Sequence, residues 1–212
     1  MIFDKKSITN LRLSVKGRMS EGRYTHTLGV EELARHLGTI LIPESVSELC
    51  VAALLHDIAK EIDFEEQIAL LTSSKFEHTQ EDIDTLPALH SISALPIIEK
   101  DFNEYATENV LSAVSNHTLG NSEMSIFDEI IFISDYAESG RTYSSCKEVR
   151  EYLIQNVCLN NDYEDNVKAL HTASLAAVNH TIDSLSKRGN KIHTKTFLTK
   201  KYLIDLISKY II

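Results

Sequence analysis

The stretch 46–60, VSELCVAALLHDIAK, decides the fold. Val46, Leu49, Cys50, Ala53 and Leu54 follow the i, i+3, i+4, i+7, i+8 spacing of an amphipathic helix. Pro43 suits the first turn of that helix. The pattern predicts one buried face and a helix end, carrying His56 and Asp57, near the middle of the domain. Adjacent helical side chains point about 100° apart, yet an imidazole and a carboxylate can still close on one ion between them. Both groups are ligands for a divalent transition metal. Lys60 shares their face if the helix continues.

A His-Asp dipeptide alone is weak evidence. Its context gives it weight, because Asp57 directly follows an apolar helix and a charged Asp is seldom buried without a partner. The pair therefore asks for further ligands elsewhere in the chain.

The 212 residues are enough for one sizeable core or at most two small domains. Apolar and charged content are ordinary for a globular protein. No run of about 18 apolar residues and no secretory leader stand out, and MIFDKKS at 1–7 is too polar for either. Neither a membrane nor a signal peptide is expected. Three unclustered Cys argue against a disulfide framework and against a Cys-type zinc site, so the cytoplasm is the expected compartment. A formal net charge of −10 disfavours a long nucleic-acid footprint. A small phosphorylated ligand held by a metal and a few cations is compatible with it.

Seven Gly and three Pro are few, alternating strand-like runs are missing, and most segments carry helical periodicity. The chain reads as an all-α domain of about eight to ten helices. Helices are expected at 4–17, 20–38, 63–72, 104–117, 125–138, 144–158, 163–188 and about 196–211. Another opens at Pro87 and is kinked or ended by Pro96. Gly38 is expected in a left-handed C-terminal position. Phe64, Ile68 and Leu71 are expected inside, and the last helix, with Phe197, Leu203, Leu206, Ile207 and Tyr210, is expected to close the core or cover one side of a pocket. The polar stretch 73–85, with His78, is expected to be irregular and exposed.

Within those helices lie His26, with Arg23 one turn earlier, then His90, His117 and Asp135. Asp135 follows Ile130, Ile131 and Ile133, and a buried carboxylate there needs a cation. The bland partner is an Arg or Lys and the sharp one is a metal. Inward-pointing side chains from several helices are how bundles build metal sites. His26, His56, Asp57 and Asp135 are enough for one ion. His90 and His117 either bring a second ion or face the substrate. His36, His78, His171, His180 and His193 read as ordinary surface or hydrogen-bonded histidines. Taken alone, Lys60 is a solvated charge and Arg141 a partner of Glu138 or a helix-end charge.

The order His26, His56-Asp57, Asp135 resembles the HD-domain superfamily of metal-dependent phosphohydrolases. RYTHTLGV at 23–30, LLHDIAKE at 54–61, LHSISA at 89–94, NHTLGNSEMS at 116–125 and IIFISDYAESGR at 130–141 resemble the YqeK family, as does NHTIDSLSKRGNKIHTKT at 179–196. The resemblance covers about residues 18–203 and implies a single HD-type domain over 1–212. It implies symmetrical hydrolysis of diadenosine tetraphosphate into two ADP. It implies an iron-type ion on His26, His56, Asp57 and Asp135, with Mn, Co and Ni as alternatives and one ion or two. It implies nucleotide contacts at Lys60, His90, His117, Thr118, Asp135 and Arg141, and along TIDSLS at 181–186 with Thr181, Ile182 and Leu185. A homodimer is compatible with it. Ser91, Ile92, Asn116 and Ser139 depart from the family pattern without removing a ligand.

The mechanism expected from this is attack of a metal-activated water on a central phosphorus. His56 and Asp57 hold the metal, Lys60 and Arg141 spread the phosphate charge, and His90 or His117 holds a second ion or protonates the leaving oxygen. Two other readings are an HD phosphohydrolase acting on a dNTP or an alarmone, and a non-catalytic metal-nucleotide binding module.

Overall fold

A computed structural model describes residues 2–210 of the chain. Among them are eleven α-helices and two short 3-10 turns, at Pro43–Ser45 and Asn103–Tyr105. The helices are α1 (Lys5–Lys16), α2 (Glu21–Leu41), α3 (Val46–Leu55), α4 (Phe64–Thr72), α5 (Gln80–Asp84), α6 (Leu86–Asp101), α7 (Glu108–Asn116), α8 (Ile126–Ala137), α9 (Ser144–Asn156), α10 (Tyr163–Lys187) and α11 (Thr194–Ser208). The all-α expectation holds, and the expected end of the last helix at residue 211 lies outside the described residues.

α3 is the hub. Every residue from Glu48 to Leu55 is buried, and α1, α2, α7 and α8 all pack on it. A helix apolar all round has no solvent face, so it takes the centre of the bundle. α8 is the second hub, against α2, α7, α9 and α10. Its Ser125 and Asp128 form a capping box that satisfies the first turn. α4 and α5 flank α6, and α9 and α11 flank α10. One hydrophobic cluster runs from Ile8 to Leu203.

Two helices stop by the same device. In a continuing helix the carbonyl of Ala53 would accept from the amide of Asp57. Instead His56 Nδ1 donates to that carbonyl at 2.6 Å. The chain then runs on in i to i−3 turns, from Ile58 to Leu55 and from Lys60 to Asp57. At the end of α7, His117 Nδ1 donates to the Val114 carbonyl at 2.7 Å. Each imidazole thus ends its own helix through Nδ1 and turns Nε2 toward other partners. The helical face expected to join His56, Asp57 and Lys60 is therefore a turn.

Several expectations are corrected. α2 runs through Gly38 to Leu41; a Cβ at Gly38 would collide with Leu49 of α3, so the glycine is a close-packing position and not a left-handed cap. The left-handed glycines are Gly120 and Gly189, and Gly189 ends α10 as expected. α6 continues through Pro96, because buried Leu95, Ile97 and Ile98 on both sides of it hold the helix in the core. The polar stretch 73–85 contains α5, held by Asp82, which accepts from Thr79 N and from Lys195 Nζ of α11. Phe64 and Phe197 are 45% and 49% exposed, since no element covers their helix faces. Tyr105 lies in the 3-10 turn that precedes α7.

Candidate metal centre

α2 places His26, the end of α3 places His56 and Asp57, α6 places His90, the end of α7 places His117, and α8 places Asp135. All six converge. The imidazoles form a row, with ring centroids 5.4 Å apart for His26 and His56, 5.0 Å for His56 and His117, and 5.0 Å for His117 and His90. Asp57 lies along the row with one oxygen toward each half. Its Oδ2 is 3.6 Å from His26 Nε2 and 3.4 Å from His56 Nε2. Its Oδ1 is 3.2 Å from His90 Nε2 and 3.6 Å from His117 Nε2. Asp135 Oδ1 closes the first half, 2.9 Å from His26 Nε2 and 3.9 Å from His56 Nε2.

The tautomers follow from the partners. A carbonyl can only accept, so the Nδ1 atoms of His56 and His117 carry the hydrogen. The carboxylate of Glu138 accepts from His26 Nδ1 at 3.2 Å in the same way. The Nε2 atoms of all three thereby face Asp57 and Asp135. Outward hydrogen bonds on Nδ1 are how metal-ligating histidines are oriented. Two sets of donor atoms are close enough to share an ion: His26, His56 and Asp135, and His56, Asp57 and His117. Ligands about 2.1 Å from a metal lie roughly 3–3.5 Å apart, and these pairs, at 2.9–3.9 Å, bracket that spacing. The residues fit a divalent transition ion.

The charges fit as well. Burial opposes ionisation of Asp57, but His56, with hydrogen bonds to His117, His56 and His90, holds its pKa well below the usual carboxylate value. Asp135 is likewise depressed against burial by His26, His56 and Arg141. Burial, with the nearby His117 and Lys60, pushes His90 down to about 4, so it is neutral at pH 7. In the metal-free protein burial disfavours His26 as a cation, yet Asp135 and Glu138 outweigh it and raise its pKa to about 9. An ion must displace that proton to bind.

Cations surround the row. Lys60 Nζ lies 3.1 and 3.3 Å from the two ring nitrogens of His90, and burial lowers its pKa. Arg141 donates from Nη2 to Asp135 Oδ1 at 2.7 Å and from Nε to the Asp135 carbonyl at 3.0 Å. Arg23 pairs with Asp57 Oδ2. Thr118 Oγ1 is 3.2 Å from His90 Nε2. Thr181 and Leu185 of α10 line cavities beside the centre. Ile182, one position on, packs against the hydrophobic core, because a step along a helix turns the side chain about 100°.

Two residues here carried no site role in the sequence. Arg23 stands one turn before His26, a position that alone does not mark it. Glu138 comes three residues after Asp135 and was legible only as a partner for Arg141, from which it is 4.0 Å. A cavity of about 660 Å³ between α1 and α3 is lined by none of the row's residues.

The model of the HD domain matches residues 23–140, more than half of the chain. The chain belongs to the HD-domain family. This HD protein is 26% identical, over 90% of its length, to the "Bis(5'-nucleosyl)-tetraphosphatase, symmetrical" of Bacillus subtilis (strain 168), 94% of which is covered. It is 29% identical, over 90% of its length, to the protein of the same description from Halalkalibacterium halodurans, 93% of which is covered. A crystal structure described as a predicted HD superfamily hydrolase involved in NAD metabolism, from Clostridium acetobutylicum, superposes with a TM-score of 0.78 at 29% identity. It covers 97% of this chain and 99% of that one. The resemblance to the YqeK family stands. Among the described residues no helix is long and apolar enough to cross a membrane.

Proposed function

We propose that this HD protein is a metal-dependent hydrolase that splits diadenosine tetraphosphate symmetrically into two ADP. The observation that carries the reading is the row itself: tautomer-fixed histidines bridged by Asp57, with Lys60, Arg141 and Arg23 at its margins. The likeness of nearly the whole chain to symmetrical tetraphosphatases supports the substrate.

His26, His56, Asp57 and Asp135 would hold the ion. Asp57 Oδ1 with His117, and His90 beyond, offers a second place. Iron is the metal of this proposal, with Mn, Co or Ni able to replace it on a nitrogen and oxygen donor set. The chemistry supplied by a divalent ion at this position is Lewis acidity, which acidifies water near neutral pH. Arg141 and Lys60 neutralise phosphate oxygens, Arg as a fork and Lys as a point charge. Water adds to an inner phosphorus, the central bridging P–O bond breaks, and the leaving oxygen of ADP takes a proton. Lys60 is a proton donor of lowered pKa beside that position. His90 is neutral and lies within hydrogen-bond reach of both Asp57 and His117. Thr118, Thr181 and Leu185 contact the nucleoside.

The chain acts as one domain in this account, in the cytoplasm, and a homodimer is compatible with it. Its net charge of −10 suits a small anionic substrate gripped locally better than a polynucleotide. Chromatography of the products is the test. Wild-type protein loaded anaerobically with iron or manganese is expected to give ADP alone from diadenosine tetraphosphate. ATP with AMP, or no turnover with any of the four metals, would contradict it. Release of triphosphate or pyrophosphate from a dNTP or an alarmone in place of this reaction would move the chain to another HD activity.

A further inference from the structure

Beyond each end of the row of imidazoles, a residue that touches the row lines a cavity. At the His90 end Thr118 lines a cavity of about 420 Å³, together with Pro87, Leu119 and His193. At the His26 end Asp135 and Arg141 line a second cavity of about 370 Å³, which extends along α8, α9 and α10 past Tyr136, Tyr143, His180 and Ser184. Thr181 and Leu185 border both cavities. They are four residues apart, on one face of α10, so a single turn of that helix is the partition. The two volumes are nearly equal, and each is in the range of small-molecule sites.

A symmetrical dinucleoside tetraphosphate asks for this arrangement. Its central P–O–P bridge is equidistant from two identical nucleosides. A protein gripping one nucleoside fixes the bridge by a single flexible arm. Gripping both registers the bridge over the row between them. We propose that the cavity of Tyr136, Tyr143, His180 and Ser184 holds one nucleoside of the dinucleotide while the cavity beside Thr118 holds the other. The inference rests on the proposed function and extends it. The resemblance read from the sequence gives nucleotide contacts to the row, to Thr118, Arg141 and the 181–186 turn, and none to α9 or to Tyr136, Tyr143 and His180.

The lining suits a nucleoside. Tyr143 is 71% exposed at the start of α9, a large aromatic surface open to solvent. Such a ring is a stacking platform for any base. The Tyr136 hydroxyl and His180 Nδ1 are 3.3 Å apart, which gives the cavity a pair of polar atoms that can exchange partners with a ribose. Arg141 stands between the row and this cavity, where the phosphate joined to that nucleoside must pass. Arg188 lies at the exposed outer rim.

Titration calorimetry with ADP on the manganese-loaded protein tests this. The wild type is expected to bind two ADP per chain. Ser184→Phe, which fills the α9-side cavity, is expected to bind one. Tyr143→Ala is at an exposed position and should fold even where Ser184→Phe does not. It is expected to weaken one of the two ADP sites about tenfold and leave the other. One ADP per wild-type chain, two full-strength sites in Ser184→Phe, or equal weakening of both sites by Tyr143→Ala overturns the proposal. Failure of the function itself reads differently: no ADP would form from the dinucleotide, while the ADP count per chain would still report on the two cavities.

Discussion

Glu138 does several jobs with one carboxylate. It accepts from His26 Nδ1 at 3.2 Å and from the amide of Gly140. Its oxygen also lies where a Cβ on Gly29 would have to go. The residue therefore ties His26, a proposed metal ligand, to the turn that launches Arg141. Removing an outward hydrogen bond of this kind costs about 10–100-fold in metal affinity. Glu138→Gln is expected to lose metal to a chelator that much more readily than wild type. Gly29→Ala should do the same without touching the carboxylate, because its methyl displaces it. Gly22→Ala on the same helix meets nothing within 4 Å and should hold metal like wild type. Wild-type retention in Gly29→Ala would show that Glu138 does not orient His26. At this scale the six row residues were legible in the sequence, since each is a His or Asp on an apolar helix or at its end. Glu138 was not, because its partner is 112 residues away and nothing local marks that contact.

The helix contacts set the spacing of the row. α2 carries His26 and α3 carries His56, and the two helices meet where Gly38 faces Leu49. Gly38→Ala is expected to lower the urea midpoint by wedging them apart. Gly22→Ala should raise stability by about 0.5–1 kcal/mol through the unfolded state and helix propensity. If both shift alike, close approach at Gly38 is not what fixes the pair. On the other side of the molecule Asp82 joins α5 to Lys195 of α11 at 2.8 Å. Burial opposes its charge, yet Lys195 and Thr79 hold its pKa down to about 2, from 3.8. A depressed carboxylate stabilises fully above its unfolded pKa and loses that contribution as pH falls through the folded one. The difference in urea midpoint between wild type and Asp82→Asn should thus be present at pH 7 and fade between pH 3.8 and about 2. A difference independent of pH over that window would remove the ion pair as its cause. α5 escaped the sequence reading for the same reason: a five-residue, mostly polar stretch becomes a helix through a side chain 113 positions away. Phe64 and Phe197 misled in the opposite direction. Periodicity marks an apolar face, but coverage depends on which neighbour arrives.

Across the whole molecule the two hub helices, α3 and α8, bring carboxylates into a core that also holds four imidazoles, those of His26, His56, His90 and His117. An assembly that gathers this many imidazole and carboxylate donors suits a cation, and the fold is the price of keeping them together. Binding of an ion to the folded state alone raises its stability by about 2.7 kcal/mol at one hundred times the dissociation constant. Chelation is therefore expected to lower the thermal midpoint of wild type and leave that of Asp57→Ala unchanged. The all-α class and ten of the eleven helices were legible, because burial around α3 and α8 follows periodicity. The way α3 and α7 end on their own histidines was not, because it depends on side-chain rotamers that spacing does not encode. The most direct test of the account compares wild type with Asp57→Ala, purified anaerobically, for bound transition metal and for ADP formed from diadenosine tetraphosphate. The expected result is metal and two ADP per substrate in wild type, with neither in an Asp57→Ala protein of unchanged helicity. A metal-free Asp57→Ala protein that still forms ADP at the wild-type rate would contradict it.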